Sequence, residues 1–286
     1  CPSPCFSFDL TRIFVVGCPL SGTTLVQGLL AAHPDLTSFP ETHFFAHLFP
    51  QSGLLRRVGV ANPQIRGRLA RFLRGRQRSD LAAELPLLVP TRRRAVRVFV
   101  ESLDTIAWDR SCEGWIEKTP RHLRYIDEIR HRIPNARFIH VVRNGADVVA
   151  SLWDVTHRYP DRWDGPRDIE ACIDRWLESV RTTDKWMDDP NHVVVRYEAL
   201  VEHTIDEVDR LFAFVGVAPE DDIVERYETA VGDVIDDHEE WKQRNHTAIR
   251  SRQIRKFDEL FTTEEQEHIL ARLEAAPEAL TRRSTE

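Results

Sequence analysis

The sequence predicts an α/β protein with a central, mostly parallel sheet and helices on both faces. Three observations carry this. Short continuous apolar runs alternate with stretches of helical period, as strands buried on both faces do. The first run ends in a glycine-containing turn that leads straight into a helix. The composition, 42% hydrophobic and 30% charged over 286 residues, is that of a globular chain with ample material for a core.

Residues 1–10 read as a loose leader, and a start at Cys1 without Met is what trimming leaves. Ile13 to Gly17 is a short apolar run and the first strand. The turn Cys18 to Gly22 follows. Thr23 to Ala32 then reads as a helix, with Ser21 or Thr23 near its N-cap and His33-Pro34 as its stop. Leu36 to Pro40 is a second short strand that ends at Glu41. Residues 44–110 form a mainly helical insertion with loops at Gly53, Pro63, Gly75 and Pro86, and we expect it to shape an acceptor pocket. Trp115 to Lys118 is a brief strand closed by Thr119-Pro120, and His122 to Arg132 is helical. Arg137 to Val142 is the second strong strand, and Asn144-Gly145 turns into the helix Ala146 to Asp154. Asp168 to Asp188 is a helix, His192 to Tyr197 a strand, and Glu198 to Val215 and Glu220 to Val231 are helical. The tail from Trp241 is basic, then helical and charged. We expect a single domain over residues 1–286. Ligands of such sheets bind at the C-terminal ends of the strands. The chemistry is therefore expected just after Gly17, Pro40, Glu117, Val142 and Arg196.

Charge and cysteine usage exclude several function classes. The formal net charge is -7, without the overall basic footprint of a nucleic-acid binder. No apolar run approaches the roughly 18–20 residues of an integral membrane segment. The five cysteines are odd in number and form no Cys-x-x-Cys pair. That argues against a disulfide framework and a zinc site, and for a reducing, cytoplasmic setting. Locally, Leu54 to Arg97 is arginine-dense, with Asp80 and Glu84 its only acids; Val201 to Glu240 is the reverse. These are two solvated faces that attract each other, or a basic lid over an anionic substrate. Lysine occurs only at Lys118, Lys185, Lys242 and Lys256, and the arginine-rich usage points to a GC-rich bacterial genome. A lysine kept against that bias marks a place where an ammonium is needed.

Two segments have the form of anion sites. Gly17 to Thr24 reads Gly-Cys-Pro-Leu-Ser-Gly-Thr-Thr, with P-loop spacing between strand and helix. Successive amides and a helix N-terminus make a cradle for phosphate, and Ser21, Thr23 and Thr24 add hydroxyls. Thr23 stands where a Walker lysine would reach a triphosphate, which counts against a kinase or other P-loop NTPase. Arg143 ends a buried strand, where a bidentate phosphate contact is natural, and Ser151 follows two helical turns later. An ordinary turn and a helix-capping arginine have the same outlines. Taken together, the two sites fit a nucleotide with phosphates at both ends of its ribose.

Here the sequence resembles the superfamily of sulfotransferases that use 3′-phosphoadenosine 5′-phosphosulfate (PAPS), in the bacterial branch that also resembles tyrosylprotein sulfotransferases. Pro19-Leu-Ser-Gly-Thr-Thr-Leu25 is similar to the family's 5′-phosphosulfate loop. Phe138 to Leu152, with Arg143-Asn-Gly-Ala-Asp147, is similar to its 3′-phosphate motif. Glu117-Lys-Thr-Pro120 and Arg196-Tyr-Glu-Ala-Leu200 resemble two further blocks. The resemblance implies a P-loop-like fold and PAPS as cofactor, with the product 3′-phosphoadenosine 5′-phosphate (PAP). It implies 5′-phosphate contacts from Ser21, Gly22, Thr23, Thr24 and Leu25, and 3′-phosphate contacts from Arg143 and Ser151. It places an adenine-side contact at Tyr197 and a closing basic segment at Gln253-Ile-Arg-Lys256, which contains Arg255 and Lys256. One departure stands out. The family usually carries Lys or Arg immediately before the Ser-Gly-Thr-Thr, and this chain has Leu20.

Sulfuryl transfer asks the protein to align an acceptor, take its proton and stabilise the leaving group. No carboxylate cluster suits Mg²⁺, and no metal is expected. Glu41 is the candidate base, in Phe39-Pro-Glu-Thr-His-Phe-Phe45, where apolar neighbours are expected to raise its pKa; a carboxylate near a helix cap is the plain alternative. His43 is the second candidate. Lys118 is expected to replace the charge lost at Leu20, with a salt bridge to Glu117 or Asp127 as the plain alternative. The tryptophans are expected to be mostly packing. The expected acceptor is a hydroxyl or amine of a small molecule, glycolipid or sugar. A non-catalytic PAP-binding family member is the alternative that Leu20 raises.

Overall fold

A computed structural model of the chain describes residues 10–227 and 256–281. Five strands form one sheet in the order β2-β3-β1-β4-β5. They are β1 (Thr11–Gly17), β2 (Leu36–Phe39), β3 (Gly114–Lys118), β4 (Ala136–Val142) and β5 (His192–Arg196). Every pairing is parallel, with Ile13 opposite Ile116 and Arg137, and Phe138 opposite His192. Central β1 is apolar along its length because both of its faces are covered. Ile13 and Val15 face one core, shared with helix α1 (Thr23–Ala31); Phe14 and Val16 face the other, beneath the insertion.

The insertion contains five helices: α2 (Phe44–Leu48), α3 (Gly53–Arg57), α4 (Ile65–Gly75), α5 (Ser79–Glu84) and α6 (Arg92–Asp109). Gly53, expected in a loop, opens α3. A 3₁₀ helix at Pro120–Tyr125 precedes α7 (Ile126–Arg132), where one continuous helix was expected. Proline starts that turn, and its missing N–H is tolerated there. After β4 comes α8 (Gly145–Arg158), a full turn longer than expected, and then α9 (Ile169–Asp184). The helix expected over Glu198 to Val215 divides at His203 into α10 (Tyr197–Glu202) and α11 (Thr204–Val215). Helices Lys256–Leu260 and Thr263–Leu273 pack on α8 and α9. Of the helix expected over Glu220 to Val231, residues 223–227 are helical and residues 220–222 are not, while residues 228–231 lie outside the described residues, as do residues 1–9 of the leader.

The strand order opens a crevice. From β1 the chain moves toward β2, whereas from β4 it moves toward β5. The two loops leave adjacent strands in opposite directions, and the space between them is where open α/β sheets hold ligands.

Candidate active site

The loop after β1 is shaped by close approaches. A Cβ on Gly17 would come within 2.5 Å of the Val141 carbonyl oxygen. Gly22 has φ of 97°, and a Cβ there would lie 2.3 Å from Cδ2 of Tyr197. Gly22 is itself the N-cap of α1, with no side-chain cap, where Ser21 or Thr23 was expected. The fully buried Ser21 hydroxyl turns inward and donates to the Cys18 carbonyl at 2.7 Å, with Val141 O at 3.1 Å. It ties the loop to β4 and does not point out as a donor. The amides of Leu25 and Val26 turn back onto Gly22 O. Leu25 thus offers no free donor, and its side chain packs on the α1 core. The amides of Gly22, Thr23 and Thr24 donate to no acceptor among the described residues. They leave an unpaired cluster of N–H groups at a helix start, an arrangement able to hold an anion. The Cys18 thiol is pushed up to about 11 by burial, which keeps it a neutral thiol.

Arg143 leaves β4 across the crevice. It is 8% exposed, and its guanidinium lies over the Tyr197 ring, 4.6 Å from the centroid. Its two terminal nitrogens make only long bonds, to Leu20 O at 3.5 Å and Asp147 at 3.4 Å. Its Nε is buried without a partner. A buried unpaired donor on a charged group is costly unless a ligand completes it. Its carbonyl accepts from Trp176 Nε1, which anchors the backbone to α9. Tyr197, the first residue of α10, sits between Gly22 and Arg143 and joins the two anion sites. Ser151 lies partly exposed on α8, with no bonded partner among the described residues. Lys256 docks one turn further along α8, but its ammonium donates to Asp154 at 2.6 Å. Asp154 also takes Arg158, so Lys256 serves to attach its helix. Arg255 lies outside the described residues.

Across β1, the ends of β2 and β3 bring the remaining candidates together. The buried Lys118 ammonium donates to Glu41 Oε1 at 2.7 Å. Its carboxylate partner is thus Glu41, not Glu117 or Asp127. His43 Nε2 lies 3.5 Å from Oε2 of the same carboxylate. Glu41 therefore has an ammonium beside it, where only apolar neighbours were expected. It is also outside any helix: α2 begins at Phe44, with His43 as N-cap in a left-handed conformation, φ 49°. Partial burial lowers the His43 pKa below the ordinary imidazole range, against the opposing pull of Glu41.

Glu117 was missed as a site residue because its position within a strand reads as packing. It is fully buried. Its Oε1 accepts from Thr42 N at 3.2 Å, Thr42 Oγ1 at 2.7 Å and Thr119 Oγ1 at 2.6 Å. Its Oε2 meets His122 Nδ1 at 2.8 Å. The Phe45 amide donates to His122 Nε2, so that nitrogen is the acceptor and Nδ1 carries the proton. Burial alone would raise the Glu117 pKa, but His122 and these donors outweigh it and hold the carboxyl below the usual range. The network pins residues 42–45 and so aims Glu41 and His43. Gln27 of α1 adds a second tie, donating to Ser38 Oγ and Phe39 O just before that loop. Of the tryptophans, Trp176 bonds to the site through Arg143, whereas Trp115 is core and bonds Asp104. No group of three or more metal-ligating side chains gathers among the described residues, and no described helix is long and apolar enough to cross a membrane.

Comparisons with known proteins give the same frame. The model of the sulfotransferase family matches residues 12–222. Nodulation protein NoeE of Sinorhizobium fredii is 28% identical over 237 residues, covering 72% of this chain and 50% of NoeE. Protein-tyrosine sulfotransferase 1 of Danio rerio is 24% identical over 230 residues, covering 79% and 59%. The chain thus spans about half the length of the curated relatives it matches. A crystal structure of a mouse sulfotransferase complexed with PAP superposes with a TM-score of 0.54 at 13% identity, covering 92% of this chain and 82% of that one. That likeness carries the P-loop-like fold of a parallel sheet flanked by helices.

Proposed function

We propose that this chain, which belongs to the sulfotransferase family, moves a sulfuryl group from PAPS to a hydroxyl or amine of a small-molecule, glycolipid or sugar acceptor. One observation carries the donor assignment: Arg143, with a buried, unpaired Nε, and the unpaired amides of Gly22, Thr23 and Thr24 lie on the two loops that bound the crevice. Tyr197 bridges them, so two anion sites stand either side of one aromatic ring. A nucleoside with 3′- and 5′-phosphates fits that pattern, and the mouse structure with PAP supports it.

PAPS, when bound, supplies an activated sulfuryl group on a phosphate leaving group. The chain's own residues do the rest. The amides of residues 22–24 would hold the 5′-phosphate, and Arg143 with Ser151 the 3′-phosphate. Glu41 accepts the acceptor's proton on a carboxylate oxygen. Lys118 orients that carboxylate and brings positive charge to the reacting end in place of the cation missing at Leu20. His43, kept neutral, borders the carboxylate without competing for a proton.

Calorimetric titration with PAP, beside ATP and 5′-AMP, tests the donor site. PAP should bind selectively, and Arg143→Ala should weaken it by about ten- to a hundredfold, the worth of hydrogen bonds to a charged group. Comparable ATP binding, or indifference to the substitution, would remove the assignment. One observation favours a non-catalytic reading: Leu20 packs on the apolar cluster of α8 and α9, where the family pattern has a cation. Tight PAP binding with no turnover of PAPS on hydroxyl acceptors would select it.

A further inference from the structure

We propose that the helical insertion carries a docking face for an anionic phospholipid surface, centred on α3 and the Leu87–Leu88 loop. Two independent observations coincide there. The first is charge. Residues 54–97 hold twelve arginines and two carboxylates, a formal +10, in a chain whose total is -7, so the remaining residues carry -17. Arg78 bonds Asp80 and Asp109, and Arg92 bonds Glu128. Arg57, Arg68, Arg93 and Arg94 meet no carboxylate among the described residues.

The second is exposed aliphatic surface. Leu54, Val58, Leu87 and Leu88 are 72%, 64%, 86% and 77% exposed, and Leu55 is 40% exposed. These are half of the exposed large apolar side chains among the described residues. The backbone brings their two segments side by side. Val60 pairs with Thr91 in an antiparallel bridge, Ala61 N donates to Pro90 O, and Arg92 N donates to Gly59 O. The Arg92 guanidinium closes the join on Arg56 O.

Isolated exposed leucines are ordinary; a cluster set among arginines is not. An anionic bilayer complements both parts, taking aliphatic tips into the acyl boundary while its headgroups meet guanidinium groups. Protein hot spots pair Arg with buried Trp and Tyr, and the exposed apolar side chains of this cluster are all aliphatic. The segregation of charge also overcomes the chain's net repulsion from an anionic surface, since the acidic remainder is screened beyond about 8–10 Å.

The test is co-sedimentation of the full chain with phosphatidylcholine vesicles, with and without phosphatidylserine, at low and high salt. Binding should require phosphatidylserine and fall as salt rises. Leu87→Asp/Leu88→Asp and Arg93→Glu/Arg94→Glu should each weaken it about tenfold or more, since each reverses part of one of the two contributions. Thermal melting and PAP titration should be unchanged in both variants, which keeps loss of folding from imitating the result. Absence of phosphatidylserine-dependent binding at low salt would overturn the proposal. So would binding that neither variant changes, and so would binding to soluble polyglutamate in place of vesicles, which would make the face a site for acidic polypeptide.

Discussion

The two ends of the crevice are built on opposite rules. At the β1–β4 end, polar groups are left unpaired: three amides of a helix start and the Nε of a buried arginine. At the β2–β3 end the buried Glu117 meets four donors, and Lys118 is bonded to Glu41. Unpaired buried donors cost stability that a bound anion would recover, so that end suits a ligand. A fully paired network leaves no donor for a ligand to complete, and it holds the loop that carries Glu41 to one position. On the proposed function the difference separates binding from chemistry, and substitutions at the two ends should separate them as well.

The largest effect is expected at the paired end. Glu41→Gln keeps the shape and loses the base, so kcat should fall about 10²- to 10⁴-fold. PAP affinity, measured by calorimetry, should not change; if it falls in step with kcat, the two ends are not separate. Gly22→Ala strikes the unpaired end. Its Cβ meets the Tyr197 ring at 2.3 Å, and its backbone is left-handed at φ 97°. The strain is about 1–3 kcal/mol. PAP affinity should drop about tenfold or more, together with the melting temperature.

Glu117→Gln is a gentler probe. The amide puts an NH₂ against donors that now meet a carboxylate oxygen, at a cost of about 1–3 kcal/mol. Residues 42–45 should loosen, and kcat should fall about tenfold while PAP affinity holds. Thr42→Ser, which keeps the hydroxyl donor, should retain activity. Equal loss of PAP binding in Glu117→Gln would reduce Glu117 to a packing role.

The smallest effect is a pH window. His140 and His192 bond each other at 2.8 Å between β4 and β5, beneath the strand ends that carry Arg143 and Tyr197. Burial lowers them to about 3 and about 4 from an ordinary 6.5. Their depressed values mean that the stability they contribute is whole above about pH 6.5 and is lost as pH falls toward 4. Glu117, also depressed, keeps its contribution until pH falls below the usual carboxylate range. The unpaired end should therefore soften first on acidification. Hydrogen exchange of β4 and β5 amides should rise between about pH 6.5 and 4 before that of residues 42–45. Simultaneous loosening would show the two ends to be one cooperative unit.

Much of this was legible because it is local. Apolar runs marked β1 and β4, and the Gly-x-x-x-x-Gly spacing marked the loop, since turn and cradle chemistry involve neighbouring residues. Legibility failed where one element depends on another. Ser21 looked like an outward hydroxyl, but the nearness of Val141 turns it inward. Lys256 looked like a phosphate contact, but Asp154 on α8 takes it. Glu117 was marked only as part of a motif block and a strand end, since its partners lie 75 and 5 residues away as well as at Thr119.

The order of residues alone thus specified a parallel α/β sheet, a phosphate-type loop without a Walker lysine, and an arginine at the end of β4. Each rests on periodicity or spacing within about ten residues. Folding supplied the rest. Strand order set β1 beside β4 and so opened the crevice, and parallel pairing of β2 with β3 brought Glu41 to Lys118. Packing chose which polar groups were satisfied and which were left for a ligand. Those outcomes depend on residues far apart in the chain, and their pairing energy exists only once the sheet has formed.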